Sequence, residues 1–124
     1  MIGLTFDTGA LIALERRQQR MREILEHAMA RDQPITVPAA VVGKWWRGRT
    51  DLRGLILRSV DVEPMTSSLA QIAGEALAAV KGATLVDAVV MASAASRGDI
   101  VYTGDVTDLE KLRRHFPSVR VLGV

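Results

Sequence analysis

The stretch that most constrains this chain runs from Thr84 to Ser96, where the composition favours a helix that is apolar on nearly every side. Such a helix is stable only when it is buried in a core. Its single charge between Lys81 and Arg97 is Asp87. A lone carboxylate in apolar surroundings is costly unless a hydrogen bond, a cation or a metal ion offsets it. The stretch therefore predicts a central buried helix whose one acid has a specific partner.

Two further acids follow short apolar runs. Asp7 closes the run 2–6, and Asp105 comes directly after the run 100–104. The carboxyl ends of parallel strands meet at one edge of a sheet, where open α/β folds build their sites. Asp7 is also a good helix N-cap, and Asp87 has the position that closes a capping box. The sequence leaves both the structural and the functional interpretation open.

Short apolar strands alternate with amphipathic helices along the chain, in the order β-α-α-β-α-α-β-α-α-β-α-β. Capping-box spacing at Ser68–Gln71 and at Thr107–Glu110 predicts two of the helix starts. The alternation predicts an α/β fold, with one domain over residues 1–124 and a five-stranded, mostly parallel sheet flanked by helices on both faces. The expected strands are 2–6, 35–37, 60–62, 100–102 and 119–122.

The composition narrows the functional classes. With 124 residues, 48% of them hydrophobic, the chain can bury a real core. It has no cysteine, which excludes disulfides and thiolate zinc sites and fits a reducing cytoplasm. No apolar run is as long as a membrane span, and no signal peptide is evident. Arginines dominate the basic residues while the buried-looking charges are acids, a pattern that suits a polyanion held over metal ions.

Several carboxylates in one pocket repel each other, and a hard divalent cation relieves that repulsion. Asp7, Asp87, Asp105 and the nearby Asp108 therefore predict a site for Mg²⁺ or Mn²⁺, which prefer oxygen ligands. Such sites support phosphodiester hydrolysis. The sequence has neither a pair of histidines at zinc spacing nor a glycine-rich phosphate loop.

Four segments in this order resemble the PIN-domain ribonucleases, specifically the VapC-type toxins of bacterial type II toxin–antitoxin pairs. They are Phe6–Leu14 (FDTGALIAL), Val37–Val42 (VPAAVV), Asp87–Ala94 (DAVVMASA) and Val101–Leu109 (VYTGDVTDL). Each segment alone is a weak signal, but together they cover essentially the whole chain.

The resemblance implies a PIN-like fold and a metal-dependent endoribonuclease of the bacterial cytoplasm that uses Mg²⁺ or Mn²⁺. It also implies RNA as the substrate, a homodimer or toxin–antitoxin hetero-oligomer, and a cognate antitoxin that occupies a groove near the site, with no membrane partner. The catalytic and metal-binding residues that it implies are Asp7, Asp87 and Asp105, with Asp108 as a nearby or second-metal acid and with Thr103 and Thr8 ordering the site.

One position departs from the family pattern. The helix after Val37-Pro38 normally carries a glutamate that completes the acidic cluster, and Lys44 stands in that place here. A lysine pointing inward would oppose metal binding or would pair with Asp7 or Asp87. We therefore expect a weakened or inactive nuclease. The alternative is a surface lysine on a shifted helix.

Lys44 is followed by a patch of aromatic and basic residues, formed by Trp45, Trp46, Arg47 and Arg49. Aromatic and arginine side chains stack on RNA bases, but they are also enriched at protein interfaces. We favour one core tryptophan and one tryptophan at an antitoxin or dimer interface over an RNA surface.

Two other functions compete with the nuclease. One is a pseudo-nuclease that keeps antitoxin or RNA binding without cleavage. The other is a phosphorelay receiver domain, which needs an acid pair after the first strand, a phosphoacceptor aspartate after the third and a lysine after the last. Here Asp7-Thr8 follows the first strand, Glu63-Pro64 follows the third, and no lysine follows the last. The receiver interpretation is disfavoured.

Overall fold

The computed structural model describes all residues from Met1 to Val124. Five strands form one sheet in the order β3-β2-β1-β4-β5. The strands are β1 (Leu4–Phe6), β2 (Ile35–Pro38), β3 (Asp61–Glu63), β4 (Ile100–Thr103) and β5 (Arg120–Gly123). The helices are α1 (Thr8–Glu15), α2 (Gln19–Ala30), α3 (Ala39–Trp45), α4 (Asp51–Arg58), α5 (Ser67–Ala79), α6 (Leu85–Arg97) and α7 (Val106–Glu110).

Every pair of neighbouring strands is parallel. The predicted α/β fold with a five-stranded sheet is therefore confirmed, and the sheet is wholly rather than mostly parallel. The predicted strands lie in the right places, with ends displaced by at most one residue except at the first, which begins two residues later than predicted, at Leu4. None of the helices combines the length and the apolar character needed to cross a membrane.

The strand order reverses direction between β1 and β4. The chain moves from β1 outward to β2 and β3, then returns to place β4 on the other side of β1. In open parallel sheets the crevice outside the carboxyl ends at such a switch point is the usual binding site. Asp7 directly follows β1, and Gly104 and Asp105 follow β4. The two acids thus flank the switch point, as their positions after apolar runs predicted.

Helix α6 is the buried helix that its sequence predicted. Every residue from Ala88 to Ala94 is buried, and the helix packs against β1, β2 and β4. The Thr84 hydroxyl accepts a hydrogen bond from the Asp87 amide at 3.2 Å and begins the helix. Gly98, with φ of 74°, ends it in the left-handed conformation that glycine adopts without strain. Since α6 leads into β4, its first turn, with Asp87, lies at the carboxyl edge of the sheet.

The other end of α6 is fixed by an ion-pair network around Arg97. Its guanidinium donates to Asp99 at 2.9 Å, to Glu63 at 2.6 Å and to the Ser93 hydroxyl at 2.7 Å. The buried Asp99 carboxylate also accepts from the Thr5 hydroxyl on β1 at 2.8 Å. A buried carboxylate with a cation and a hydroxyl donor has its charge offset. The network thereby ties α6 to the sheet and holds the helix in place.

Both predicted capping boxes are wrong. Helix α5 is capped by Thr66, whose hydroxyl accepts from the Leu69 amide at 3.1 Å, so Ser68 already lies inside the first turn. Helix α7 is capped by Asp105, whose carboxylate accepts from the Asp108 amide at 3.1 Å. In each case the helix begins two residues earlier than predicted. The residue found there, threonine or aspartate, is itself a good N-cap.

The start of α1 and the turn after β4 touch through two glycines. A Cβ on Gly9 would lie 2.5 Å from the Gly104 Cα and 2.6 Å from the Gly104 nitrogen. A Cβ on Gly104 would lie 2.9 Å from the Gly9 Cα. Only two residues without side chains allow this backbone contact. It holds the end of β1 and the end of β4 close together.

The substitution Gly9→Ala tests this contact. Because its Cβ would overlap backbone rather than a flexible side chain, we expect a loss of about 1–3 kcal/mol in the free energy of unfolding, measured by urea denaturation. Gly74→Ala in α5 is the matched control, since its Cβ meets nothing within 4 Å and alanine favours a helix by about 1 kcal/mol. Equal stability of Gly9→Ala and the wild type would show that the two segments do not touch as described.

Candidate active site

Asp7 is the most enclosed acid at this edge, with its residue 8% exposed. As the N-cap of α1 it accepts a hydrogen bond at Oδ1 from the Ala10 amide at 3.0 Å. The Gly104 amide donates to the same oxygen at 3.4 Å, and the Thr103 hydroxyl donates to Oδ2. A carboxylate oxygen has about two lone pairs. Oδ1 is therefore saturated, whereas Oδ2 keeps one lone pair for a further ligand.

Thr103 links two of the predicted acids. Its hydroxyl donates to Asp7 and accepts from the Asp105 amide at 2.9 Å. The amide can only donate, so the hydroxyl proton is directed to the carboxylate. Thr8 was predicted, like Thr103, to order the site. Its hydroxyl oxygen is buried but makes no hydrogen bond.

Burial raises the pKa of Asp7 above its usual range. The hydrogen bonds from Thr103, Ala10 and Gly104 act in the opposite direction, and the negative charge of Asp87 raises the pKa further. The net increase means that the ionised Asp7 is not fully stabilised by its protein donors. A cation at the free lone pair of Oδ2 would stabilise that charged form.

Asp87 lies in the first turn of α6 and is half-buried. Burial raises its pKa, and the charges of Asp108 and Asp105 raise it further, whereas the Thr84 hydroxyl and the charge of Lys44 lower it. Asp7, Asp87, Asp105 and Asp108 are thus close enough for their charges to interact. The structure brings the four predicted acids to one edge of the sheet.

Asp105 and Asp108 are the outer members of the group. Asp105 is exposed and caps α7 through one of its carboxylate oxygens, Oδ1. The Asp108 side chain is 47% exposed and forms an ion pair with Lys111 at 3.3 Å. Exposed pairs of this kind contribute little to stability. Asp108 can therefore exchange Lys111 for another partner at small cost, and the second carboxylate oxygen of Asp105, Oδ2, is not used by the cap.

The donor atoms are of the type that Mg²⁺ or Mn²⁺ prefers, but their spacing does not form a complete coordination site. All are carboxylate oxygens, the ligands that hard divalent cations prefer. Burial raises the pKa values of Asp7 and Asp87, and neighbouring carboxylates raise them further, so a cation would stabilise both ionised forms. However, no three His, Asp or Glu side chains lie close enough together to hold a metal ion as they stand. Charge and donor type fit the cation, and the spacing leaves the ligand set incomplete.

Lys44 lies in the last turn of α3 and is exposed. It forms no ion pair with Asp7 or Asp87. Its charge nevertheless lowers the pKa of Asp87. The side chain is thus neither a remote surface lysine nor a direct partner of the acids, but a positive charge at the border of the acidic group.

The structure divides the predicted patch between the core and the surface. Trp45 is only 4% exposed and belongs to the core. Its indole nitrogen donates to Glu15 at 3.0 Å, and Arg53 donates to the other Glu15 oxygen at 2.8 Å. The hydrogen bond from Arg53 holds the pKa of Glu15 below its usual range, and Trp45 adds to this effect.

Glu15 and Arg53 were missed by the sequence analysis because their pairing spans 38 positions. The one sequence feature that could have indicated this pairing is Glu15 itself, an acid at the end of an apolar helix. Together with Trp45 they join α1, α3 and α4 behind the acidic edge.

The rest of the patch lies on the loop between α3 and α4. Trp46 is half-buried and packs edge-on against Trp45 with ring centroids 5.8 Å apart. Arg47 and Arg49 are exposed, and Arg47 donates to the Trp46 carbonyl at 2.8 Å. The expected core tryptophan is Trp45, and the expected role of Trp46 at an antitoxin or dimer interface stays a prediction.

Asp7→Asn tests whether the negative charge of Asp7 destabilises the folded protein. A raised pKa means that Asp7 favours folding while protonated, below its usual pKa of 3.8. This contribution is lost as the pH rises through the pKa of the folded protein. We expect Asp7→Asn, measured in EDTA at neutral pH, to raise Tm by about 4 °C for each kcal/mol regained. Asparagine is as good an N-cap as aspartate.

The gain should shrink as the pH falls towards 3.8. Asp32→Asn is the matched control, because Asp32 is exposed with φ of 53° and asparagine tolerates that conformation equally well. A lower Tm for Asp7→Asn than for the wild type at neutral pH would contradict the raised pKa.

Comparisons with known proteins identify the fold. No family model matches the sequence, and no curated protein matches it. Among solved structures, a chain of VapBC2 from Rickettsia felis bound to a DNA fragment from their promoter is similar with a TM-score of 0.75 and 12% identity, over 100% of this chain and 99% of that chain. DNA-bound VapBC from Salmonella typhimurium gives 0.73 and 15%, over 99% and 98%.

A toxin–antitoxin complex from Klebsiella pneumoniae is similar with a TM-score of 0.69 and 17% identity, over 94% of this chain and 95% of that chain. These similarities extend over almost the full length of both chains, which accords with the resemblance to VapC-type toxins. At such low identity they establish the architecture rather than the chemistry. The chain has the PIN-like α/β fold shared by these toxin–antitoxin proteins.

Proposed function

We propose that this chain is the toxin of a toxin–antitoxin pair, a VapC-type endoribonuclease that uses Mg²⁺ or Mn²⁺ to hydrolyse RNA phosphodiester bonds in the bacterial cytoplasm. The observation that carries the proposal is the group of four acids at the switch point of a sheet with this fold. The proposed activity is weak because Lys44 replaces the expected glutamate.

Each acid has a distinct part in the proposal. Asp7 offers the free lone pair of Oδ2 in a position fixed by Thr103 and by the Gly9–Gly104 contact. Asp87 offers a second carboxylate from the first turn of α6, and Asp105 and Asp108 complete the set from the start of α7. When bound, the metal would supply a bound water of lowered pKa and positive charge for the phosphate. The protein contributes orientation and the negative charge that attracts the cation.

Lys44 explains why we expect weak rather than full activity. It adds a positive charge where the family resemblance implies a negative ligand, so it both removes a donor and repels the cation. Its exposure limits the repulsion, because solvent screens exposed charges. Metal affinity should therefore fall without disappearing.

A pseudo-nuclease is the second candidate, and two observations favour it. The acids do not form a complete ligand set as they stand, and Lys44 already supplies positive charge near Asp87. In that case the protein would bind antitoxin or RNA without cleavage. Tight Mn²⁺ binding at the acids separates the enzyme from the pseudo-nuclease.

We propose that the antitoxin binds in an apolar groove between α2 and α4, which contains none of the four acids, rather than in the groove near the site that the resemblance implies. Met29 and Leu55 line it and are more than half exposed, and Leu25 and Leu52 complete its floor. Such exposed apolar surface marks protein contact sites. The solved structures with this fold include toxin–antitoxin complexes. We further propose that the toxin forms a homodimer or a hetero-oligomer with its antitoxin.

Lys44→Glu tests the proposal directly. Restoring the carboxylate should raise the rate of RNA cleavage in Mg²⁺ at least about tenfold, since one extra charged ligand is worth more than the 1.4 kcal/mol that a tenfold change requires. Lys44→Gln is the matched control. It removes the positive charge without adding a ligand, so it should give a smaller gain.

Adding Asp87→Asn to Lys44→Glu should abolish the gain, which excludes a contaminating nuclease. If Lys44→Glu leaves cleavage unchanged while the protein stays folded, Lys44 is not part of the site. The proposed weakening would then be wrong.

A further inference from the structure

A second groove, of about 650 Å³, is lined by residues that are close in sequence to the acids but includes none of the four acids. One wall is the end of α5 and the loop after it. The other wall is one face of α7 and the turn that follows it. The lining side chains include Lys81, Lys111, Arg114 and His115, with Glu110 as the one acid. Only two lining residues are hydrophobic, so the groove offers charge and hydrogen bonds rather than apolar anchors.

Both walls start beside the acids. The wall with Lys81 leads within a few residues to Thr84 and Asp87 at the start of α6. The wall with Lys111 continues the helix that Asp105 caps, and Lys111 itself forms an ion pair with Asp108 at 3.3 Å. A molecule lying in the groove would therefore reach the acidic edge without leaving the surface.

The acidic edge cannot by itself attract a phosphodiester strand, because its carboxylates repel phosphate. Affinity for a polyanion must come from neighbouring cations. Lys81 and Arg114 form no ion pair in this structure, so their charges are not neutralised by the protein. Their side chains are exposed on opposite walls of the same groove.

We propose that this groove binds the sugar–phosphate backbone of a single RNA strand next to the bond held at the acidic edge. The proposal rests on the proposed ribonuclease function, because it assigns a path to the same substrate. Lys81 and Arg114 contact phosphates from the two walls, and Lys111 lies between them and the acids. A polar groove with unpaired cations suits a phosphate backbone better than a protein segment, which would need apolar anchors.

The test is the binding of short fluorescein-labelled single-stranded RNA, followed by fluorescence anisotropy in EDTA so that no cleavage is needed. The double variant Lys81→Gln/Arg114→Gln should weaken binding about tenfold at low salt and lower the slope of log K against log salt by about 1.4, the value for two lost phosphate contacts on a single strand. Thermal unfolding of each variant shows that it is folded.

Arg58→Gln/Arg120→Gln is the matched control. It removes the same charge from exposed residues at the opposite edge, where β3 and β5 begin. The control should bind RNA as the wild type does. Equal weakening by both double variants would overturn the proposal, because it would show an effect of net charge alone. So would unchanged RNA binding by the groove variant.

A parallel titration with polyglutamate separates RNA from an acidic protein segment. Loss of polyglutamate binding with RNA binding intact would assign the groove to protein and overturn the proposal. The result is also separate from that of Lys44→Glu. If Lys44→Glu does not cleave RNA, but Lys81→Gln/Arg114→Gln binds RNA more weakly than the wild type does, the nuclease proposal fails and the groove assignment stands.

Discussion

The structure depends on how the carboxylate of Asp7 is held. Its donors come from two segments that are distant in the chain, the first turn of α1 and the end of β4 with the turn that follows it. These segments approach closely enough only because Gly9 and Gly104 lack side chains. The arrangement buries a charge whose pKa is raised rather than lowered. It costs stability, and such a cost is typical of sites kept for function.

Structural and functional interpretations of the acids describe the same geometry. Asp7 and Asp105 cap α1 and α7, and Asp87 lies in the first turn of α6. Three helix starts thus face one edge of the sheet. Amide groups and helix dipoles at these starts favour negative charge. The helices therefore allow several carboxylates to gather before any cation arrives, and capping does not argue against a metal site.

The sequence predicted what depends on local pattern. The burial of α6, its Thr84 cap and the places of the strands all follow from periodicity and spacing. The competing caps Thr66 and Asp105 were missed because spacing alone does not decide between neighbouring candidates.

Contacts between distant segments were also missed. The binding of Glu15 by Arg53 and Trp45, and the approach of Gly9 to Gly104, depend on which helices become neighbours in the fold. For the same reason the sequence placed Lys44 beside the acids but could not show that it stays exposed.

The most direct test of the account is anomalous diffraction from crystals of the wild-type chain and of Lys44→Glu soaked in Mn²⁺. The account predicts a manganese peak within bonding distance of Asp7 Oδ2 and the Asp87 carboxylate, with higher occupancy in the variant. Manganese bound only elsewhere, or no peak at this edge in either crystal at saturating Mn²⁺, would contradict it.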